Sequence, residues 1–302
     1  MADLSFELCG IPFKNPVIAA SGTFGNGLVM ALYNDLSLLG GISMKAVTLE
    51  PREGNPPVRI AETASGCLNA IGLQNPGIDV FLAQELPRAK RLKTRLIANV
   101  SGSKQEDYVE VIRRLQGSGI DMIELNISCP NVKEGGVAFG TNPDVAAEIT
   151  RACKTVCDVP LMVKLSPNVS DIVAIAKAVE AAGADAISLI NTLTAMAVDA
   201  RSRRPILANI TGGLSGPAIK PVALRMVYQV TKAVQVPVVG MGGIMSGLDV
   251  AEFLLCGASA VMVGTANLSD PSASLRILAE FQAFLDQEGI EDWKALVGGL
   301  KV

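Results

Sequence analysis

The stretch GSGIDMIELNIS, residues 117–128, decides the fold. Its glycines suit a helix end followed by a tight turn, and the chain then runs into a buried strand carrying Ile123, Leu125 and Ile127. Two other stretches follow the same order: AAGADAISLINT (181–192) and LCGASAVMVGTA (255–266). Extending the pattern outward gives eight expected strands, near 17–21, 42–47, 95–100, 121–127, 160–165, 185–190, 236–241 and 259–263. Amphipathic segments lie between most of them, with helix-start signals at Asn142–Pro143, at Ser170–Asp171 and in the capping box from Ser246 to Asp249. Strand and helix in alternation predict an α/β fold, a (β/α)8 TIM barrel forming a single domain over residues 1–302. A doubly wound open sheet has the same periodicity, but eight units fill the chain with little left over.

Composition fits that reading. Of the 302 residues, 49% are hydrophobic and only 4% aromatic, so the core must be aliphatic, as in a parallel sheet wrapped by helices. A net charge of -3 offers no footprint for nucleic acid or an anionic membrane. The acidic start, MADLSFELCG, and the short apolar runs argue against a signal peptide or membrane span, so a cytoplasmic protein is expected. Cys9, Cys67, Cys129, Cys153, Cys157 and Cys256 are dispersed and histidine is absent, which predicts reduced thiols and no zinc site. Any general base must then be a carboxylate, Lys, Tyr or Cys. Cys153 and Cys157 fall one turn apart on an expected helix, where packing explains them.

Two segments interrupt the repeat, 49–75 after the second strand and 191–219 after the sixth. Insertions this long are usually functional, and both would emerge at the C-terminal rim of the barrel. The residues closing each strand are Ser21 with Gly22, Lys45, Asn99, Asn126 with Cys129, Lys164, Asn191 with Thr192, Gly242 with Gly243, and Gly264 with Thr265. None is a carboxylate, so the mouth suits a polar, anionic ligand better than a divalent metal. The glycines after strands seven and eight suit a phosphate, although plain tight turns would leave the same pattern. GMGGIM (240–245) has Met245 where a dinucleotide fingerprint needs its third glycine, so no Rossmann site is expected. Lys45 and Lys164 end apolar strands; they can meet an anion, reach the rim, or serve as Schiff-base nucleophiles in an aldolase-like lyase. Cys129 precedes a glycine-containing loop and is the best base candidate in such a mouth. RSRR (201–204) reads either as an anion site or as a solvated loop face.

Together NISCPN, NAIGLQNPG (69–77), MVKLSPN (162–168), INT (190–192), TGGLSGPAIKP (211–221) and GMGGI resemble the class 1 dihydroorotate dehydrogenases, in order and along nearly the whole chain. Cysteine at 129 departs from class 2, which has serine there, and IGLQNPG with CPNVKEGG is similar to the class 1B catalytic subunits. The resemblance implies oxidation of dihydroorotate to orotate in pyrimidine (UMP) biosynthesis, on one FMN per chain. Cys129 would take the C5 proton while the C6 hydride passes to FMN. Lys45, Asn69, Ala70, Ile71, Gly72, Leu73, Asn126, Asn191 and Thr192 would bind substrate. FMN would meet Ser21, Lys45, Ala46, Asn99, Asn126, Lys164, Ile190, Gly216, Gly242, Gly243, Gly264 and Thr265, with the last four at its phosphate. The family also implies an electron-transfer partner carrying FAD and a 2Fe-2S cluster, which passes electrons to NAD within a heterotetramer built on a homodimer of this chain. A dihydropyrimidine dehydrogenase-like flavoenzyme and the Schiff-base lyase are the alternatives.

Overall fold

The computed structural model describes residues 2–127 and 139–302. Eight parallel strands close into a barrel. In chain order they are Val17–Ala19, Gly41–Ser43, Arg95–Val100, Met122–Asn126, Leu161–Lys164, Ala186–Leu189, Val238–Met241 and Ala260–Val263, hereafter strands one to eight. Each pairs with its neighbours in sequence, and strand eight returns to strand one through Met262 opposite Ile18. Most strands are shorter than expected: the first two end early, toward the rim, and the last two begin late.

Alternation divides each strand between two environments. Ile123, Leu125 and Ile127 face the helices, whereas Met122 packs inside with Ile97, Met162, Ala186 and Met262. The N-terminal hairpin, Phe6–Leu8 paired with Ile11–Phe13, plugs this inner cluster from below with Leu8 and Phe13. The outer layer includes the helices Gln105–Leu115, Pro143–Lys154, Ile172–Ala181, Lys220–Thr231, Gly247–Leu255 and Ala273–Gln287. Strand one is followed by 3-10 turns, Met30–Leu32 and Leu36–Leu38, in place of an α-helix.

The repeat that opened the sequence reading has a physical cause. In GSGID and AAGAD the aspartate lies just before its strand: Asp121 accepts from Leu96 N at 2.8 Å, and Asp185 from Leu161 N at 2.7 Å. Each thereby satisfies an N–H at the start of the preceding strand. Helix starts follow expectation at Asn142 and in the Ser246–Asp249 box, but the cap of Ile172–Ala181 is Asp171, one residue beyond Ser170. Helix Pro143–Lys154 contains Cys153 and ends before Cys157, so that pair does not share a helix.

The two insertions join each other. The hairpin Ile60–Thr63 with Gly66–Asn69 comes from the first, Leu193–Met196 and Thr211–Ser215 come from the second, and the four strands form one antiparallel sheet. Among the described residues no helix is long and apolar enough to cross a membrane.

Candidate active site

The C-terminal rim encloses a cavity of about 360 Å³. Strand one delivers Ser21, the turn after strand two Lys45 and Ala46, and strands four and five Asn126 and Lys164. The first insertion adds Asn69, Ala70, Ile71, Gly72 and Leu73; the chain after strand six adds Ile190, Asn191, Thr192 and Gly216. Gly242, Gly243, Gly264 and Thr265 complete the wall. Every expected site residue therefore lines one cavity except two. Asn99 is fully buried behind it, within reach of Asn126 Nδ2 at 3.4 Å. Cys129 lies outside the described residues.

Local hydrogen bonding explains how these groups are held. Lys45 N donates to Gly25 O at 2.9 Å and to Asn26 Oδ1 at 3.1 Å. Burial, and then the nearby Arg59 guanidinium, hold the Lys45 ammonium below the usual lysine range. Gly72 and Leu73 are both left-handed, and Asn75 Nδ2 donates to Leu73 O at 2.7 Å, fixing the loop that faces the cavity. Asn168 donates to Thr192 O at 3.0 Å and accepts from Thr194 N at 2.8 Å, so it ties the strand-five loop to the second insertion.

The glycine wall fits a phosphate. Gly243 has φ +80, and a Cβ there would stand 2.7 Å from Lys220 Cβ and 2.9 Å from Gly216 O. A Cβ on Gly264 would meet only Ala20 Cβ, at 3.7 Å, so the space before that backbone is open to a ligand. The N-terminus of helix Gly247–Leu255 is already occupied: Asp249 accepts from Met245 N and Ser246 N, and Glu280 accepts from Gly247 N. An anion is therefore directed to Gly243 and to Gly264–Thr265.

Several groups escaped the sequence reading. Asn209, Thr211, Gly212 and Gly213 line the cavity from the second insertion, positioned by pairing between distant segments. Glu124, inside strand four and 0% exposed, is a buried carboxylate of this region that does not itself line the cavity. Its signal was the alternation, which sends residues 122, 124 and 126 inward together. Arg201 and Arg203 on the turn of a small hairpin and Arg204 in its second strand are exposed and do not line the cavity, which favours the solvated-face reading. Burial pushes the thiols up, to about 12 for Cys153 and about 11 for Cys9 and Cys157, as suits inert packing groups. Among the described residues no cluster of His, Cys, Asp and Glu could hold a metal ion.

The family described as Dihydroorotate dehydrogenase matches residues 3–285. A relative from Alkaliphilus metalliredigens, named dihydroorotate dehydrogenase B (NAD(+)), catalytic subunit, is 54% identical over 298 residues, covering 99% of both chains. One of the same name from Anoxybacillus flavithermus is 58% identical over 292 residues, covering 96% of this chain and 94% of its own. Among solved structures, DHODH in complex with ferulenol from Eimeria tenella superposes with a TM-score of 0.83 at 25% identity, covering 98% of this chain and 88% of that one.

Proposed function

The chain belongs to the dihydroorotate dehydrogenase family, and from that premise we propose that it is the FMN-carrying catalytic subunit of an NAD-linked enzyme oxidising dihydroorotate to orotate in pyrimidine biosynthesis. One observation carries the reading: a single cavity joins a glycine cradle for phosphate to two lysines and four asparagines suited to a carboxylate and ring amides. Lys45, whose ammonium is penalised by burial, gains most from a substrate carboxylate, because an anion restores what desolvation removes. Asn69, Asn126, Asn191 and Thr192 supply the hydrogen bonds that orient the ring, and Ala70 to Leu73 wall it in. Ser21, Lys45, Ala46, Asn126, Lys164, Ile190 and Gly216 hold the flavin, its phosphate goes to Gly242, Gly243, Gly264 and Thr265, and Asn99 acts from behind Asn126.

Bound FMN supplies a two-electron acceptor beside the substrate. The remaining task is to remove a proton, and Cys129 takes it from C5 in a chain without histidine, at a cavity with no carboxylate among its described lining residues. The names of the relatives, an NAD(+) enzyme's catalytic subunit, support a separate electron-transfer subunit. We assign FAD and the 2Fe-2S cluster to it, in a cytoplasmic heterotetramer built on a homodimer of this chain, whose residues 1–302 form one domain.

The holoprotein purifies yellow and is bleached anaerobically by dihydroorotate; Cys129→Ser slows bleaching by orders of magnitude and keeps the colour. An unchanged rate removes Cys129 as the base. Bleaching by dihydrouracil in place of dihydroorotate favours the dihydropyrimidine dehydrogenase-like reading. The lowered Lys45 also suits a Schiff-base lyase, which borohydride would inactivate in the presence of substrate. NAD reduction by the native complex tests the partner.

A further inference from the structure

Between the apolar plug and the cavity, one carboxylate ties the barrel interior together. Glu124 Oε2 accepts from Ser43 Oγ of strand two at 2.7 Å and from Asn99 Nδ2 of strand three at 2.5 Å. Its Oε1 accepts from Ser188 Oγ of strand six at 2.8 Å and lies 4.0 Å from Lys164 Nζ of strand five. Removing a carboxylate from water costs several kcal/mol, which good geometry and hydrogen bonds must offset before the charge adds anything to stability. The charge therefore calls for an explanation beyond packing.

Its consequence lies in direction. A carboxylate only accepts, so Asn99 must turn Nδ2 toward it and Oδ1 away. That Oδ1 accepts from Asn126 Nδ2 at 3.4 Å, Asn126 Oδ1 accepts from Asn191 Nδ2 at 3.3 Å, and Asn191 Oδ1 accepts from Thr192 N at 2.8 Å. An acceptor-only group anchors one end of this chain and a donor-only N–H the other, so the three amides agree in one sense alone. The last two amides line the cavity.

We propose that Glu124 is a positioning residue: from beneath the site it sets the sense of the Asn99–Asn126–Asn191 amide chain and thereby the donors and acceptors that meet the substrate ring. This rests on the dihydroorotate reading of the same cavity. Glutamine at 124 can still offer one oxygen to Asn99 and Ser43 and its amide N–H to Ser188 Oγ, whereas leucine offers neither. The chain is a unit, so breaking it at Glu124 or at Asn99 has the same effect on the two amides above.

The test measures orotate binding to the FMN-loaded protein through the flavin absorbance change, with thermal midpoint and flavin content alongside. Glu124→Leu is expected to keep its flavin, to melt lower because Ser43, Asn99 and Ser188 lose their acceptor, and to bind orotate about tenfold more weakly, while Glu124→Gln stays within about threefold of wild type. Asn99→Ala reproduces the loss, and combining it with Glu124→Leu adds little, the non-additivity of one connected unit. If Glu124→Leu does not fold, Glu124→Met against Asn99→Ala and their double variant carry the same comparison, since methionine also offers Asn99 no oxygen. Wild-type affinity in Glu124→Leu or in Asn99→Ala, or losses that add in the double variant, overturns the positioning role and leaves the function intact. A wild-type flavin spectrum that ignores orotate overturns both.

Discussion

Lys45 shows how a single residue trades stability for binding. Its ammonium is held below 10.5 by burial and then by Arg59. Below the lowered folded value both folded and unfolded chains carry the charge, and the folded one bears the desolvation penalty. Between the lowered folded value and 10.5 the unfolded chain binds more protons, so this residue makes stability rise with pH across that window. Lys45→Met should therefore raise the melting midpoint of the flavin-free chain at pH 7 and flatten its alkaline rise. The same change removes a charge-assisted hydrogen bond worth about 1.5–3 kcal/mol, so orotate affinity should fall at least about tenfold. Thermal scans at several pH values beside an orotate titration check both; a lower midpoint at pH 7 would mean that the charge supports the fold. Lys45 was legible in the sequence because a charge ending an apolar strand stands out. Glu124 was not, because it lies within the strand between the outward-facing Ile123 and Leu125, and its partners Ser43, Asn99 and Ser188 come from strands distant in sequence.

At the scale of elements, two kinds of signal differ in how far they reach. Local ones were legible: the strands, the caps at Asn142 and Ser246, and the glycines after strands seven and eight all depend on neighbours in sequence. The sheet joining the two insertions was not, since Gly213 opposite Asn69 is a pairing that no short-range pattern announces. That sheet is why Asn209, Thr211 and Gly212 reach the cavity. The glycine turn after strand seven can be tested directly. Gly243→Ala forces a side chain into a left-handed conformation and toward Lys220 Cβ and Gly216 O, at a cost of about 1–3 kcal/mol. It also displaces the backbone to which the proposed function assigns the phosphate. The variant should fold but elute without flavin on gel filtration and show no midpoint increase when FMN is added; a yellow variant with full flavin content would move the phosphate elsewhere.

The barrel as a whole separates what holds it together from what it does. Below Glu124 the interior is Ile97, Met122, Met162, Ala186 and Met262, capped by Leu8 and Phe13 of the hairpin; above it stand amides, lysines and glycines. The hairpin is in turn fastened by aromatic contacts, Phe6 to Phe13 at 5.4 Å and Phe6 edge-on to Trp293 at 5.6 Å. Phe13 is 2% exposed, so Phe13→Ala removes a filled volume that the rigid strand ends can only partly reclaim, costing about 3–5 kcal/mol. Because the polar layer and its hydrogen bonds intervene between that cavity and the rim, the loss should appear as a lower melting midpoint with the flavin content, orotate affinity and bleaching rate of the folded protein unchanged. Adding FMN should recover part of the midpoint by mass action, since a ligand bound only to the folded state stabilises it whichever end was weakened. A Phe13→Ala protein that stays folded yet binds orotate more weakly would show that strain at the bottom of the barrel reaches the amide chain, and the two ends would then have to be treated as one mechanical unit.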